Sequence, residues 1–157
     1  MPMNTLLDEA EDLVRRLLGD EDHRRQWPFH NIDHVSVVVE KCKELSHAHG
    51  LSEVMTDEIL LAAWFHDVGY VKGKLNHETE SVRICQSFLS GRDLGSISPH
   101  TITDLILATR YPSAPSTLQE QIICDADLYH LADTNYQQWS SRLMSEINIH
   151  ATAVRER

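Results

Sequence analysis

Apolar residues recur every three or four positions along most of the 157-residue chain, and no segment alternates as a half-buried strand would. Capping residues, glycines and prolines divide this pattern into helices. Helices are predicted over 3–18, Asn31–Gly50, Thr56–Asp67, Asn76–Gly91, Ser98–Thr109, 117–132 and 135–148. The predicted fold class is all-α.

The length of the chain favours one domain over residues 1–157, with the N-terminal helix 3–18 packing on a core formed by 27–147. Loops are predicted over 20–30 and 110–117. In the first of these, Trp27 precedes a proline, which pushes its backbone towards an extended conformation.

The charge of the chain limits the partners that we expect. The chain has 24 acidic and 14 basic residues and a formal net charge of −10 at neutral pH, and its basic residues form small local pairs but no continuous stripe. A nucleic acid polymer would be repelled by most of this surface, so it is excluded as a main partner. A small phosphorylated molecule remains compatible, because a metal ion and a few basic groups can concentrate positive charge locally.

The cysteines and the N-terminal residues indicate a cellular compartment. Cys42, Cys85 and Cys124 are widely spaced within apolar helical patterns, which is typical of reduced core thiols. Acidic residues stand where a secretory signal would need basic and apolar ones. No segment approaches the length of a membrane span. We therefore expect a cytoplasmic protein that has no membrane partner.

Imidazole and carboxylate side chains stand at several predicted helix ends. His34 lies in the first turn of the second helix, and the apolar run LLAAWFHDVGY at 60–70 ends the third helix with His66 and Asp67. Asp125 and Asp127 lie near the end of the penultimate helix. Such groups can converge in the core of a helical bundle, although their spacing alone does not show that they do. A single His-Asp pair is more often a helix end with a satisfied core histidine.

Four motifs occur in order along the chain: FHNIDH at 29–34, FHDVGY at 65–70, NHETES at 76–81 and DADL at 125–128. Together they resemble the HD-domain superfamily of metal-dependent phosphohydrolases, and within it a group of small bacterial proteins. The resemblance covers roughly residues 27–147. It implies a helical HD-domain bundle with the metal ligands His34, His66, Asp67 and Asp127.

The ligand set that the resemblance implies suits one divalent transition metal. Two imidazoles and two carboxylates without a thiolate are typical ligands of Mn²⁺, Fe²⁺, Co²⁺, Ni²⁺ or Zn²⁺. Four protein ligands leave coordination positions open for water and a phosphoryl oxygen, which gives the His66-Asp67 pair a catalytic role.

Other side chains near these motifs have alternative roles. His77 and Glu78 could contact the substrate, hold a second metal or move a proton, and Glu78 could equally be an ordinary first-turn acid. Lys72, Lys74 and Arg110 could each contact a phosphate or simply be solvated. His30 is expected either to orient a metal ligand or to face the substrate.

Only one carboxylate of the DADL motif is expected to reach the metal. Residues two apart point about 200° apart around a helix, so Asp125 and Asp127 diverge. We choose Asp127, because the resemblance assigns the ligand to the aspartate of an Ala-Asp pair. Asp125 is expected to cap the short helix that follows.

Two departures from the family pattern affect the expected site. Many relatives have a further histidine where this chain has Arg110-Tyr111-Pro112, which favours a mononuclear site. Many relatives also continue with another C-terminal helix, whereas this sequence stops at Arg157. A pocket wall is then either missing or supplied by a second subunit, so a homodimer is possible.

These observations favour a metal-dependent phosphohydrolase acting on a small phosphorylated compound, for example a nucleotide or a cyclic nucleotide. The alternative is a non-catalytic metal-binding or nucleotide-binding signalling module with the same fold. A third class, an HD-type oxygenase, needs two iron ions, and the missing histidine argues against it.

Overall fold

The computed structural model describes residues 3–155 of the chain, with side chains described for 5–151. Within that range the chain forms eight α-helices: α1 Met3–Leu18, α2 Glu21–Gln26, α3 Ile32–Ala48, α4 Glu53–Phe65, α5 His77–Leu89, α6 Pro99–Ala108, α7 Leu118–Asp127 and α8 Tyr136–Arg155. Two short 3₁₀ segments follow α4 and α7, at Val68–Lys72 and Tyr129–Leu131. The described residues form no strand, and the all-α prediction is confirmed.

Helix α4 is the centre of the bundle. It contacts α1, α3, α5, α6 and α7, and every residue from Glu58 to Phe65 is buried. A helix surrounded on all sides has no polar face, which explains why its sequence is apolar almost all round. Leu6, Ala10 and Val14 of α1 are buried in the same core. No helix in the described part of the chain is long and apolar enough to cross a membrane.

Two helix boundaries differ from the prediction because of local caps. The third predicted helix begins a turn earlier than Thr56, since the hydroxyl of Ser52 accepts a hydrogen bond from the backbone of Met55. The segment 20–30, predicted as a loop, contains α2. The carboxylate of Asp20 caps this helix by accepting a hydrogen bond from the His23 N–H at 2.8 Å.

Helix α8 is longer than the predicted 135–148 and crosses the start of α3. Arg142 pairs with Asp33 at 3.0 Å, and the ring of His150 stacks on Trp27 with centroids 4.0 Å apart. Between these two contacts, the carboxylate of Glu146 is buried against the residues that precede α3. Polar and aromatic contacts therefore hold α8 against the bundle.

The 3₁₀ segment after α4 lies directly against α5. A Cβ atom on Gly69 would lie 1.9 Å from the carbonyl oxygen of His77, so only glycine fits at this position. The hydroxyl of Ser81 accepts a hydrogen bond from the Gly69 N–H at 2.8 Å and donates one to the His66 carbonyl at 2.9 Å. This bridge fixes the chain on both sides of Asp67.

Replacing Gly69 by alanine should destabilise the protein severely. The new methyl group would collide with backbone atoms that cannot rotate away, and we expect the free energy of unfolding to fall by about 3 kcal/mol or more. Gly91→Ala is the control, since Gly91 has a positive φ of 75° but open space around its Cβ position, and should cost about 1–2 kcal/mol. Urea unfolding of both variants tests this, and equal losses would contradict the steric explanation.

Candidate metal centre

Four side chains from three helix ends meet inside the bundle. His34 lies in the first turn of α3, His66 and Asp67 follow α4, and Asp127 is the last residue of α7. One ligand atom of each lies within 4.8 Å of the ligand atoms of the other three. The four residues are named the His/Asp cluster below.

The ligand atoms of the His/Asp cluster are spaced as the ligands of a single ion would be. His34 Nε2 lies 2.9 Å from Asp127 Oδ1 and 3.4 Å from Asp67 Oδ2. His66 Nε2 lies 3.3 Å from each of the same two oxygens. An ion with bonds of ~2.1 Å at right angles separates neighbouring ligand atoms by ~3 Å. The arrangement therefore fits a divalent metal.

The local backbone orients His66 towards the cluster. Its Nδ1–H donates a hydrogen bond to the Ala63 carbonyl at 2.7 Å, which orients Nε2 towards the other three residues. Within the described residues, His66 Nε2 and Asp67 Oδ2 are buried without a well-aligned hydrogen bond, despite their 3.3 Å separation. Unpaired buried polar atoms are costly, and a bound cation would satisfy both.

The electrostatics of the cluster favour added positive charge. Burial opposes ionisation, yet the carboxylates of Asp67 and Asp127 outweigh it and raise the pKa of His66 well above its ordinary value. Burial alone would raise the pKa of Asp67, but His66 and His77 outweigh that effect and hold the pKa well below its usual range. The nearby imidazoles of His34 and His66 similarly lower the pKa of Asp127 against the effect of burial. The two carboxylates are therefore anionic and need compensating cations.

His77 and Glu78, at the start of α5, face the cluster. His77 Nε2 lies 3.3 Å from Asp67 Oδ1 and 3.4 Å from Glu78 Oε1, while its Nδ1 lies 3.2 Å from the Lys74 carbonyl oxygen. Glu78 Oε2 lies 3.8 Å from Arg110 Nε. Glu78 is a first-turn acid, but a buried one that contacts two polar side chains of the site.

A cavity of about 460 Å³, named the site pocket, opens beside the cluster. Its lining includes six sequence-predicted residues: His30, Asp67, His77, Glu78, Arg110 and Asp127. Lys74 also lines it, whereas Lys72 lines a different cavity. In a 3₁₀ turn, residues three apart share a face, so Asp67 and Tyr70 point into the site pocket and Lys72 does not. Of the two loop lysines, Lys74 and not Lys72 therefore lies at this site.

His30 forms part of the pocket wall and is held from two sides. Its ring stacks on Tyr70 with centroids 4.2 Å apart, and its Nδ1 lies 2.5 Å from Glu146 Oε1. Glu146 Oε2 accepts hydrogen bonds from the backbone N–H groups of Phe29 and His30 at 3.0 and 2.9 Å. Sequence reasoning missed Glu146, because its partner is 116 residues away and no local pattern marks the contact.

Of Asn31 and Asp125, only Asn31 caps a helix, so the cap predicted at Asp125 is wrong. Asn31 caps α3 by accepting a hydrogen bond from the Asp33 N–H at 2.9 Å. Asp125 does not cap the following 3₁₀ segment, which begins after Leu128 and has no side-chain cap. Because α7 continues through Asp127, Asp125 stays within the helix and is exposed on its outer side.

The divergence of the two DADL carboxylates predicts unequal effects on metal binding. Asp127→Asn removes a charged ligand and should weaken binding of a divalent metal by more than about 100-fold. Asp125→Asn changes an exposed side chain and should leave the metal content unchanged, which makes it the matched control. Elemental analysis of both purified variants measures the difference. Metal lost only from Asp125→Asn would overturn the assignment.

The Glu146–His30 pair predicts a dependence of stability on pH. Burial disfavours both charges, but the mutual hydrogen bond outweighs it, which raises the pKa of His30 above its ordinary 6.5 and lowers that of Glu146 below its ordinary 4.5. The His30 contribution is complete below pH 6.5 and is lost as the pH rises through the folded-state pKa. The Glu146 contribution is complete above pH 4.5 and is lost as the pH falls through its folded-state pKa.

Glu146→Gln should therefore destabilise the protein most between pH 4.5 and 6.5, where both charges contribute. We expect a loss of about 1–3 kcal/mol there, as for a buried hydrogen bond to a charged group, and a smaller loss on either side. Urea unfolding of chelator-treated protein across this range measures the loss. The exposed Glu44→Gln on α3 is the control and should have little effect. A loss independent of pH would contradict the assigned pair.

Comparison with known proteins gives a result at the level of the family. No curated protein and no solved structure matches the chain significantly. A family model described as HD domain matches residues 31–132, more than half of the chain. The matched range begins at the residue that caps α3 and contains all four members of the His/Asp cluster. The chain therefore belongs to the HD-domain family.

Proposed function

We propose that this protein is a metal-dependent phosphohydrolase that acts on a small phosphorylated compound. HD-domain proteins are typically metal-dependent phosphohydrolases. The observation that carries the proposal is the buried His/Asp cluster, whose ligand spacing fits one ion and which borders a cavity containing two basic side chains, Lys74 and Arg110. A purely structural site would not need an adjoining cavity.

His34, His66, Asp67 and Asp127 would hold one divalent transition metal, namely Mn²⁺, Fe²⁺, Co²⁺, Ni²⁺ or Zn²⁺. When bound, such an ion supplies a Lewis acid that activates water and offsets the charge of a phosphoryl group. Among the described side chains, no second group of three or more ligands has the same mutual spacing, so we expect one ion per chain.

The site pocket suits a compact anion with an aromatic part. Its volume of about 460 Å³ lies within the range of small-molecule sites. Lys74 and Arg110 would pair with phosphate oxygens. Tyr111, which is 89% exposed, lines the same cavity and offers its ring for stacking on a base. These features support a nucleotide or cyclic nucleotide as substrate.

His77 and Glu78 are suited to handle protons beside the cluster. Nε2 of His77 lies between the carboxylates of Asp67 and Glu78, so it can carry a proton towards a leaving-group oxygen. Glu78 orients His77 and can take up the proton that the attacking water loses, which it can then pass to His77 to replace the one given to the leaving group. His30, held by Glu146 and stacked on Tyr70, gives this side of the pocket a fixed wall.

His66→Ala tests the proposal. We expect the natural protein, assayed with Mn²⁺, Co²⁺ or Mg²⁺, to hydrolyse at least one member of a panel of phosphate esters, nucleotides and cyclic nucleotides. The variant should lose about 1000-fold or more of that rate, roughly 4 kcal/mol of transition-state stabilisation, while its circular dichroism stays helical. His100→Ala, an 87% exposed histidine on α6, is the matched control and should keep full activity.

Other outcomes separate the alternatives. Normal turnover by His66→Ala would refute the catalytic role of the cluster. Unfolding of that variant would favour a structural metal. Nucleotide binding by the natural protein without hydrolysis of any panel member would favour a non-catalytic signalling module.

A further inference from the structure

A second cavity, of about 750 Å³, lies between α1 and α5, and it is named the α1–α5 groove. It shares no lining residue with the site pocket. Its walls are apolar side chains from three elements: Leu13, Leu17, Val71, Ile84 and Phe88. All but Phe88 are only partly buried, because they border this open space. A concave apolar surface of this size is typical of a small-molecule site.

Basic side chains outnumber acidic ones around the α1–α5 groove, although acids predominate in the chain as a whole. The lining contains two acids, Glu9 and Asp12, and four bases: Arg16, Lys72, Arg83 and Arg92.

Two of these bases have local carboxylate partners. Arg92 pairs with Glu9 at 3.0 Å, and Arg83 pairs with Glu80 at 2.6 Å. Among the described side chains, neither Arg16 of α1 nor Lys72 of the 3₁₀ segment forms an ion pair. Asp12, the other lining acid, forms none within the described residues either, so the lining groups without an ion pair are two cations and one anion, and positive charge predominates.

We propose that the α1–α5 groove binds a small amphiphilic organic anion, with its apolar body on the groove floor and its charged group between Arg16 and Lys72. An inorganic phosphate would leave the apolar walls of the groove exposed to water. A neutral apolar molecule would leave the two cations unpaired. A ligand with both an apolar body and an anionic group would cover the apolar floor and pair with the two cations. This proposal does not depend on whether the site pocket hydrolyses phosphate esters.

The size of the α1–α5 groove and the charge of the surrounding surface disfavour larger partners. A nucleic acid strand would extend beyond the two cations onto a surface that carries a net charge of −10 and would repel it. The groove is lined by short stretches of α1, α5 and the 3₁₀ segment, and its volume of about 750 Å³ fits one small molecule better than an extended chain. The occupant is therefore a single small molecule with one anionic group.

Calorimetric titration of the full chain with 8-anilinonaphthalene-1-sulfonate, an aromatic sulfonate with an apolar body, tests the proposal. We expect saturable binding at one site per chain. Lys72→Glu should weaken it by about tenfold, since it replaces an attraction by a repulsion at the charged group. Ser87→Trp, at an exposed position in the groove wall, should block the floor and weaken binding by at least as much.

Lys74→Glu is the matched control, because Lys74 is two residues from Lys72 but lines the site pocket. It should leave the affinity within about twofold of that of the natural protein. Both groove positions are exposed, and circular dichroism verifies that each variant is folded. Absence of one-site binding, insensitivity to either groove variant, or an equal loss in Lys74→Glu would each overturn the proposal.

Discussion

The burial of two carboxylates at one point of the bundle is the constraint on which the rest of the structure depends. Asp67 and Asp127 lie close together in the core, where an uncompensated charge costs several kcal/mol. His34 and His66 provide partial compensation, and a divalent cation would complete it. The three helix ends that carry these residues must therefore meet with little tolerance, because a displaced ligand would leave a buried charge unpaired.

The protein's own hydrogen bonds fix those helix ends. Ser81 joins the end of α4 to the 3₁₀ segment, and Gly69 lets α5 approach that segment closely. On the opposite side, Glu146 holds the backbone that leads into α3. Since these contacts involve no side chain of the His/Asp cluster, the fold itself sets the geometry of the cluster, which is preorganised for the metal that we propose.

The sequence predicts a helix well where its apolar periodicity, caps and helix-ending residues agree, and poorly where these local signals conflict. Helix α1 ends as predicted because Gly19 follows its apolar face. Helix α2 was not predicted, because it is only six residues long and the loop signal of Trp27-Pro28 directly follows it. The ordered motifs also predicted which residues form the cluster. Glu146 could not be predicted, because its role arises only when segments more than a hundred residues apart come together.

Lys72 and Lys74 show most clearly what the sequence cannot predict, because both are basic residues of the same short segment after His66-Asp67. The 3₁₀ turn places Asp67 and Tyr70, three residues apart, on the face of the site pocket, while Val71 and Lys72 turn towards α1. Gly73, with a φ of 112°, then redirects the chain so that Lys74 returns to the site pocket. The division of positive charge between the two cavities thus follows from backbone geometry over three residues. Neither composition nor spacing contains that information.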